Sequence, residues 1–368
     1  MKHLTTFVVI TALTASACCK KTPPPVAPQP EPVAAVEPVA PAPDPEAEKA
    51  KAEAERVAKE KAEAEAKAAE EKRKQAEALA KAYAEFDADT AKEAARWTAD
   101  LKTAAQQLVT KAYPNPKAAL TAILKSPVRV PGHADRDQYR HPLETLTFFG
   151  IKQNMAVVEM GAGEGWYTEI LGAFLNKAGK FFVVSADPNG PADSGRTLYG
   201  KRTHAILAKS PELFSNAKTV IVAPPDSLSL GADGSVDMVL AIREMHNWHR
   251  RKMVDAYLKS IHAVLKPGGV FGVVAHRAVA GGNPDETAQK GYLPEQWLID
   301  TIQAAGFKLA AKSEINANPK DTKDYAEGVW TLPPNYAAGE TDKEKYKAIG
   351  ESDRMTLRFV KVAAPAAK

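Results

Sequence analysis

The residues with the clearest chemical potential lie in Val157-Val158-Glu159-Met160-Gly161-Ala162-Gly163-Glu164-Gly165, where a β-branched run meets three glycines at alternate positions. Glycine lets backbone N–H groups approach a ligand closely, and a helix starting at Trp166 would add unpaired N–H groups and the positive end of its dipole. A dinucleotide-binding turn requires Gly-x-Gly-x-x-Gly, whereas here the third glycine arrives one residue early and Trp166 takes the place of the last Gly. That spacing argues against a nicotinamide cofactor. Further along, Arg243-Glu244-Met245-His246-Asn247-Trp248-His249 offers His246 as a proton acceptor, because its ordinary pKa is near neutral. A packing histidine at a helix start would read the same way. His246 and His249 have no visible third ligand, so no metal site is expected. Arg140, Tyr167 and Arg243 are candidates for lining an acceptor pocket, although surface ion pairing would explain the arginines equally well.

Such residues need a scaffold. From about Ala118 the composition becomes that of a globular domain, with strand candidates at Met155–Met160, Lys180–Ala186, Lys218–Ala223, Val236–Ile242, Val270–His276, Phe307–Ile315 and Met355–Val362. Helical stretches fall between them around Thr203–Phe214, Arg250–Leu265 and Pro294–Ala305, and Trp166, Tyr167, Ile170, Leu171 and Phe174 recur at helical spacing. Alternation of this kind predicts an α/β, Rossmann-like, doubly wound sheet of seven strands that binds ligands at its carboxyl ends.

The glycine spacing, with Glu159 two residues before the first glycine, resembles motif I of class I S-adenosylmethionine-dependent methyltransferases. The resemblance implies S-adenosylmethionine as cofactor, held through Glu159, Gly161, Gly163 and Gly165. It implies ribose contacts from Asp187 at the end of the second strand and adenine contacts from Asp226 after the third. Each acid also has a plain reading as a turn residue, Asp187 before Pro188 and Asp226 after Pro225. Asp237 opens the fourth strand, and Leu265-Lys266-Pro267-Gly268-Gly269 looks like the turn that the family places before its fifth. The segment after the fourth strand, with His246, is where many relatives contact the acceptor. Methyl transfer is an in-line displacement, so the protein must position a nucleophile and accept its proton where it carries one. A narrower resemblance over residues 127–362 is to exported predicted methyltransferases of unassigned substrate. It rests on Asp137-Gln138-Tyr139-Arg140-His141-Pro142, Phe148-Phe149-Gly150-Ile151-Lys152, Gly165-Trp166-Tyr167-Thr168-Glu169-Ile170-Leu171 and Asp353-Arg354-Met355-Thr356-Leu357-Arg358-Phe359. Gln153-Asn154 departs from the Pro-Gly usual in that group, which alters a turn rather than a ligand contact.

The 368 residues carry 49 Lys and Arg against 45 Asp and Glu, too balanced for a chain whose main partner is nucleic acid. Residues 1–17 read as a signal peptide, with Lys2, an apolar run from Leu4 to Leu13, and small residues before Cys18. That ending resembles a bacterial lipoprotein signal, which implies lipidation at Cys18 or its neighbour Cys19 and, with Lys20 following, a place on the periplasmic side of the outer membrane. A Pro-rich linker at 18–45 and an Ala/Glu/Lys-rich helical stalk at 46–112 are expected to precede the domain at 113–368. Thr90 and Glu93 have capping-box spacing, so the stalk is expected to break there, and Trp97, Leu101, Leu108 and Val109 form a stripe that packs on the domain or on a second copy. Large apolar residues are scarce in the stalk, so a coiled-coil seam is weakly specified. The expected function is transfer of a methyl group to a small-molecule or envelope acceptor. Because the cofactor is made in the cytoplasm, the alternative is a non-catalytic envelope lipoprotein that uses the methyltransferase fold as a binding or spacing module.

Overall fold

The computed structural model describes residues 45–362; the signal segment, Cys18, Cys19 and nearly all of the Pro-rich linker lie outside the described residues. The chain divides into two units at Lys67/Ala68. No helix among the described residues is long and apolar enough to cross a membrane.

Helix α1 (Pro45–Arg96) forms because Ala, Glu, Lys and Arg are strong helix formers whose charges pair along its surface. Arg56 bridges Glu53 and Glu60 at 2.6 Å each, and Arg73 bridges Glu70 at 2.7 Å and Glu77 at 2.5 Å. Such exposed pairs are screened by water and contribute little to stability. The expected break at Thr90 does not occur. Glu93 is engaged elsewhere, accepting from Arg96 at 2.7 Å, from Trp97 Nε1 at 3.0 Å and from Lys209 at 3.1 Å. The helix runs on to Arg96, and the next one, α2 (Ala99–Thr110), is capped by the Thr98 hydroxyl, which accepts from Leu101 N at 3.3 Å. Trp97, Ala105 and Val109 share one buried cluster with Leu120, Ile123, Phe174 and Leu213. Of the two alternatives for the Trp97, Leu101, Leu108 and Val109 stripe, packing on the domain is the one seen.

Seven strands form one sheet in the order β3-β2-β1-β4-β5-β7-β6. They are β1 (Ala156–Glu159), β2 (Lys180–Ser185), β3 (Ala217–Ile221), β4 (Val236–Ile242), β5 (Leu265–His276), β6 (Phe307–Ser313) and β7 (Arg354–Lys361). Strands β1 to β5 pair in parallel, whereas β7 lies antiparallel between β5 and β6. Alternation along each central strand separates two cores: Val158, Val239, Ala241 and Phe271 pack on one face, and Val157, Met238, Leu240 and Val270 on the other. Helices cover both faces, which accounts for the near-continuous apolar runs of the central strands.

One turn differs from expectation. Leu265–Gly269 lies inside β5, where Leu265 pairs with Val236 and Val270 with Met238, so the intervening residues bulge. Gly268, at φ 75°, takes the left-handed turn that this bulge requires. Asp237 stabilises the same edge, accepting from Ala156 N at 2.7 Å and from Lys266 Nζ at 2.5 Å.

Candidate functional site

The parallel strands β1 and β4 end side by side at Glu159 and Ile242, with β5 ending at His276. A cavity of about 470 Å³ opens beyond these carboxyl ends, where open α/β sheets place their ligands. The loop Met160–Gly165 forms one wall. Gly165 N donates to Ala162 O at 2.8 Å, closing a turn in which Gly163 and Gly165 have φ of 56° and 86°. A Cβ at Gly161 would lie 2.9 Å from Glu244 Oε1 and 3.2 Å from the Tyr199 hydroxyl, and one at Gly165 would lie 3.0 Å from Ile206. At Gly163 a Cβ would meet nothing within 4 Å, so this glycine faces open space. Its N–H donates to the Tyr199 hydroxyl at 3.3 Å.

Two carboxyl groups sit behind the loop. Glu159, 3% exposed, accepts from the Thr168 hydroxyl at 2.8 Å. Burial, reinforced by nearby Glu244, pushes its pKa up to about 8. Burial likewise pushes Glu244 up to about 7, against the opposing charge of Arg243. Both lie on the glycine-loop side of the cavity, where ionisation would be favoured by a cationic ligand.

His246 also lines this cavity, 5% exposed, with its ring 5.4 Å from that of His276 and 6.0 Å from Trp330. The expectation of a near-neutral base is not met. Burial, with Arg250 and Arg243 nearby, pushes its pKa down to about 3, and its Nδ1 has no hydrogen-bond partner in the protein. Burial thus favours the neutral form of the His246 imidazole. His249 points elsewhere, with Nε2 2.8 Å from Asp285.

The three residues expected at the acceptor pocket, Arg140, Tyr167 and Arg243, all line the cavity. Arg140 Nε lies 2.9 and 3.0 Å from the Glu351 carboxylate oxygens, with its guanidinium 4.9 Å from the Trp166 ring. Surface ion pairing does not explain it, because Arg140 is 2% exposed. Tyr167 packs edge-on to Trp166 at 4.7 Å, and burial pushes its phenol well above the ordinary range. Arg243 sits at φ 63° directly after β4, held by its N–H to Val274 O at 2.7 Å.

Asp187 and Asp226 are not brought into the cavity. Asp187 is exposed just beyond β2, where its carboxylate accepts from Asn189 N at 2.9 Å in a local turn. Asp226 is exposed in the turn bridged by Ala223 and Ser227. Conversely, Glu244, Tyr199, His276, Trp330 and Glu351 reach the site without having been singled out. Glu244 stands two residues before His246 in the run already noted, but nothing in its spacing distinguished it from a surface acid. Tyr199 and Trp330 come from separate segments whose approach only the folded sheet creates.

The glycine space at Gly163 and the two carboxyl groups suit a cofactor that is cationic at its reacting end, as S-adenosylmethionine is. The fold is a Rossmann-like, seven-stranded sheet with flanking helices, preceded by a long helix. A family model described as a methyltransferase domain matches residues 158–273. Among solved structures, a SAM-dependent methyltransferase from Aquifex aeolicus is 16% identical, with 66% of this chain and 98% of that one covered at a TM-score of 0.41. The 1,6-didemethyltoxoflavin-N1-methyltransferase of Burkholderia thailandensis, solved with 1,6-didemethyltoxoflavin and S-adenosylhomocysteine, is also 16% identical, covering 61% of this chain and 78% of that one at 0.36. An S-adenosylmethionine-dependent methyltransferase from Mesorhizobium loti is 14% identical, covering 60% and 97% at 0.37. No curated protein matches the chain.

Proposed function

We propose that the protein is an S-adenosylmethionine-dependent methyltransferase, exported and lipid-anchored at Cys18 on the periplasmic side of the outer membrane, acting on a small-molecule or envelope acceptor. The observation that carries the catalytic part is the Gly161–Gly165 loop, which borders the cavity at the end of β1 with open space at Gly163 and carboxyl groups at Glu159 and Glu244. When bound, the cofactor supplies an electrophilic methyl group on a sulfonium centre. The loop gives it backbone N–H groups and room, and the carboxyl groups favour its positive charge. Glu244, whose pKa lies near 7, is placed to take the acceptor's proton; His246 is too weak a base and serves as a neutral wall beside Trp330. In this reading Asp187 and Asp226 contribute only where the ligand extends past the cavity toward the ends of β2 and β3.

A second reading, a non-catalytic module on an inherited fold, draws on two observations. The Tyr199 hydroxyl takes the Gly163 N–H, and Asp187 is folded onto its own turn. Calorimetric titration with S-adenosylmethionine and S-adenosylhomocysteine separates the two. Saturable binding that weakens about tenfold in Asp187→Ala, the loss of one charge-assisted hydrogen bond, supports the enzyme and the ribose contact. Binding unchanged in Asp187→Ala leaves the enzyme but removes that contact. Absence of wild-type binding at millimolar ligand leaves the non-catalytic module.

A further inference from the structure

The cavity brings acidic and basic groups together. Glu159 and Glu244 lie beside the glycine loop, and the same cavity is also lined by arginines grouped around the Glu351 carboxylate. Glu351, 4% exposed, is met by Arg136 Nε at 3.0 Å, Arg140 Nε at 2.9 Å and Arg354 Nη1 at 2.9 Å. Arg136 has one further carboxylate, the exposed Glu164 at 3.7 Å, and Arg354 donates its Nη2 to Tyr139 O at 2.7 Å. Both terminal nitrogens of Arg140 are buried without an acceptor, as is Nε of Arg243. Buried guanidinium donors left unpaired are costly, because solvation has been given up and nothing in the protein replaces it. The Trp166 ring, 4.9 Å from the Arg140 guanidinium, holds that group in place.

We propose that this arginine cluster binds an oxyanion, a carboxylate or phosphate, carried by the methyl acceptor. The two terminal nitrogens of one guanidinium form a fork whose spacing matches two oxygens of such a group, and Arg243 adds a third donor from the end of β4. One cavity then accommodates a cationic methyl donor beside its carboxyl groups and an anionic acceptor beside its arginines. This inference rests on the methyltransferase reading, and it narrows the acceptor to acids and phosphorylated compounds.

The test uses the full chain saturated with S-adenosylhomocysteine and titrated calorimetrically with malonate and, separately, with inorganic phosphate. Saturable binding of either anion is expected, weakened about tenfold or more in Arg140→Met. Arg243→Met is the second variant, since it leaves all three partners of Glu351 in place, and circular dichroism checks both folds. Tighter malonate binding marks a carboxylate acceptor, and tighter phosphate binding a phosphorylated one. Absence of saturable anion binding, or equal binding by the wild type and both variants, overturns the proposal. So does loss of S-adenosylhomocysteine affinity in Arg140→Met with 5′-methylthioadenosine affinity intact, because the guanidinium would then hold the cofactor's own carboxylate. If the wild type binds neither nucleoside, the methyltransferase reading fails first, and anion binding to the free chain then reports an oxyanion site unconnected with methyl transfer.

Discussion

Glu159→Gln tests the electrostatics of the glycine loop most directly. In the folded chain burial holds the Glu159 carboxyl at a pKa of about 8, whereas its ordinary value is 4.5. Between those limits the unfolded chain ionises and the folded chain does not, so the folded state binds the extra proton. Stability is then greatest below pH 4.5 and falls as pH rises through the interval, by about 1.4 kcal/mol for each pH unit. From pH 4.5 to pH 7 this amounts to about 3 kcal/mol, and the loss levels off above pH 8. Glutamine cannot ionise and keeps an oxygen to accept the Thr168 hydroxyl, so the variant lacks this slope. Any cost of its amide nitrogen is independent of pH. Urea unfolding followed by tryptophan fluorescence measures the difference, because Trp97, Trp166, Trp248, Trp297 and Trp330 all lie in the unit from Ala68 onward. Relative to wild type, Glu159→Gln should gain about 3 kcal/mol between pH 4.5 and pH 7. A difference that stays flat across that range would show a Glu159 pKa unshifted by folding, one that favours wild type as pH rises would show Glu159 ionised and paired, and either would make the reasoning wrong.

Three other measurements bear on separate parts of the molecule. Affinity for S-adenosylmethionine should rise with pH through about 7 and 8 as Glu244 and then Glu159 ionise, and Glu244→Gln should leave only the rise centred near 8, while affinity for neutral 5′-methylthioadenosine stays level with pH. Trp97→Ala should cost about 3–5 kcal/mol by chemical denaturation, as expected for a buried indole, whereas deleting residues 45–67 should change the stability of the second unit by less than about 0.5 kcal/mol. Cys18→Ser should release the chain into the soluble fraction and end labelling by a fatty-acid analogue; labelling that persists would place the lipid on another residue, such as Cys19.

Strand positions were legible because the parallel sheet buries β1 and β4 on both faces, which demands unbroken apolar runs such as Val157-Val158 and Met238–Ala241. Glycines were legible for a related reason: a backbone that must turn at positive φ beside a ligand tolerates little else, so Gly163 and Gly165 mark the loop by type alone. The break in the N-terminal helix was not. Thr90 and Glu93 satisfy a local capping rule, but Lys209 from the domain draws on Glu93, and a contact across so much chain leaves no local trace.

The base shows the same limit in chemical form. His246 was singled out by the ordinary pKa of its type, yet a side chain's proton affinity is set by its surroundings, and here the same enclosure that pushes imidazole down to about 3 lifts the carboxyl of Glu244 to about 7. Two residues apart at the end of β4, they are shifted in opposite directions by the same burial. The arginines follow as well. Arg136, Arg140, Arg243 and Arg354 lie on separate segments, and folding brings Arg136, Arg140 and Arg354 around the Glu351 carboxylate, with donors of Arg140 and Arg243 left unpaired. A run of residues can therefore announce where a cofactor approaches, because that demand falls on consecutive backbone. What the acceptor must look like depends on charges that meet only after folding, and the surplus of unpaired guanidinium donors is the feature that points to an acid.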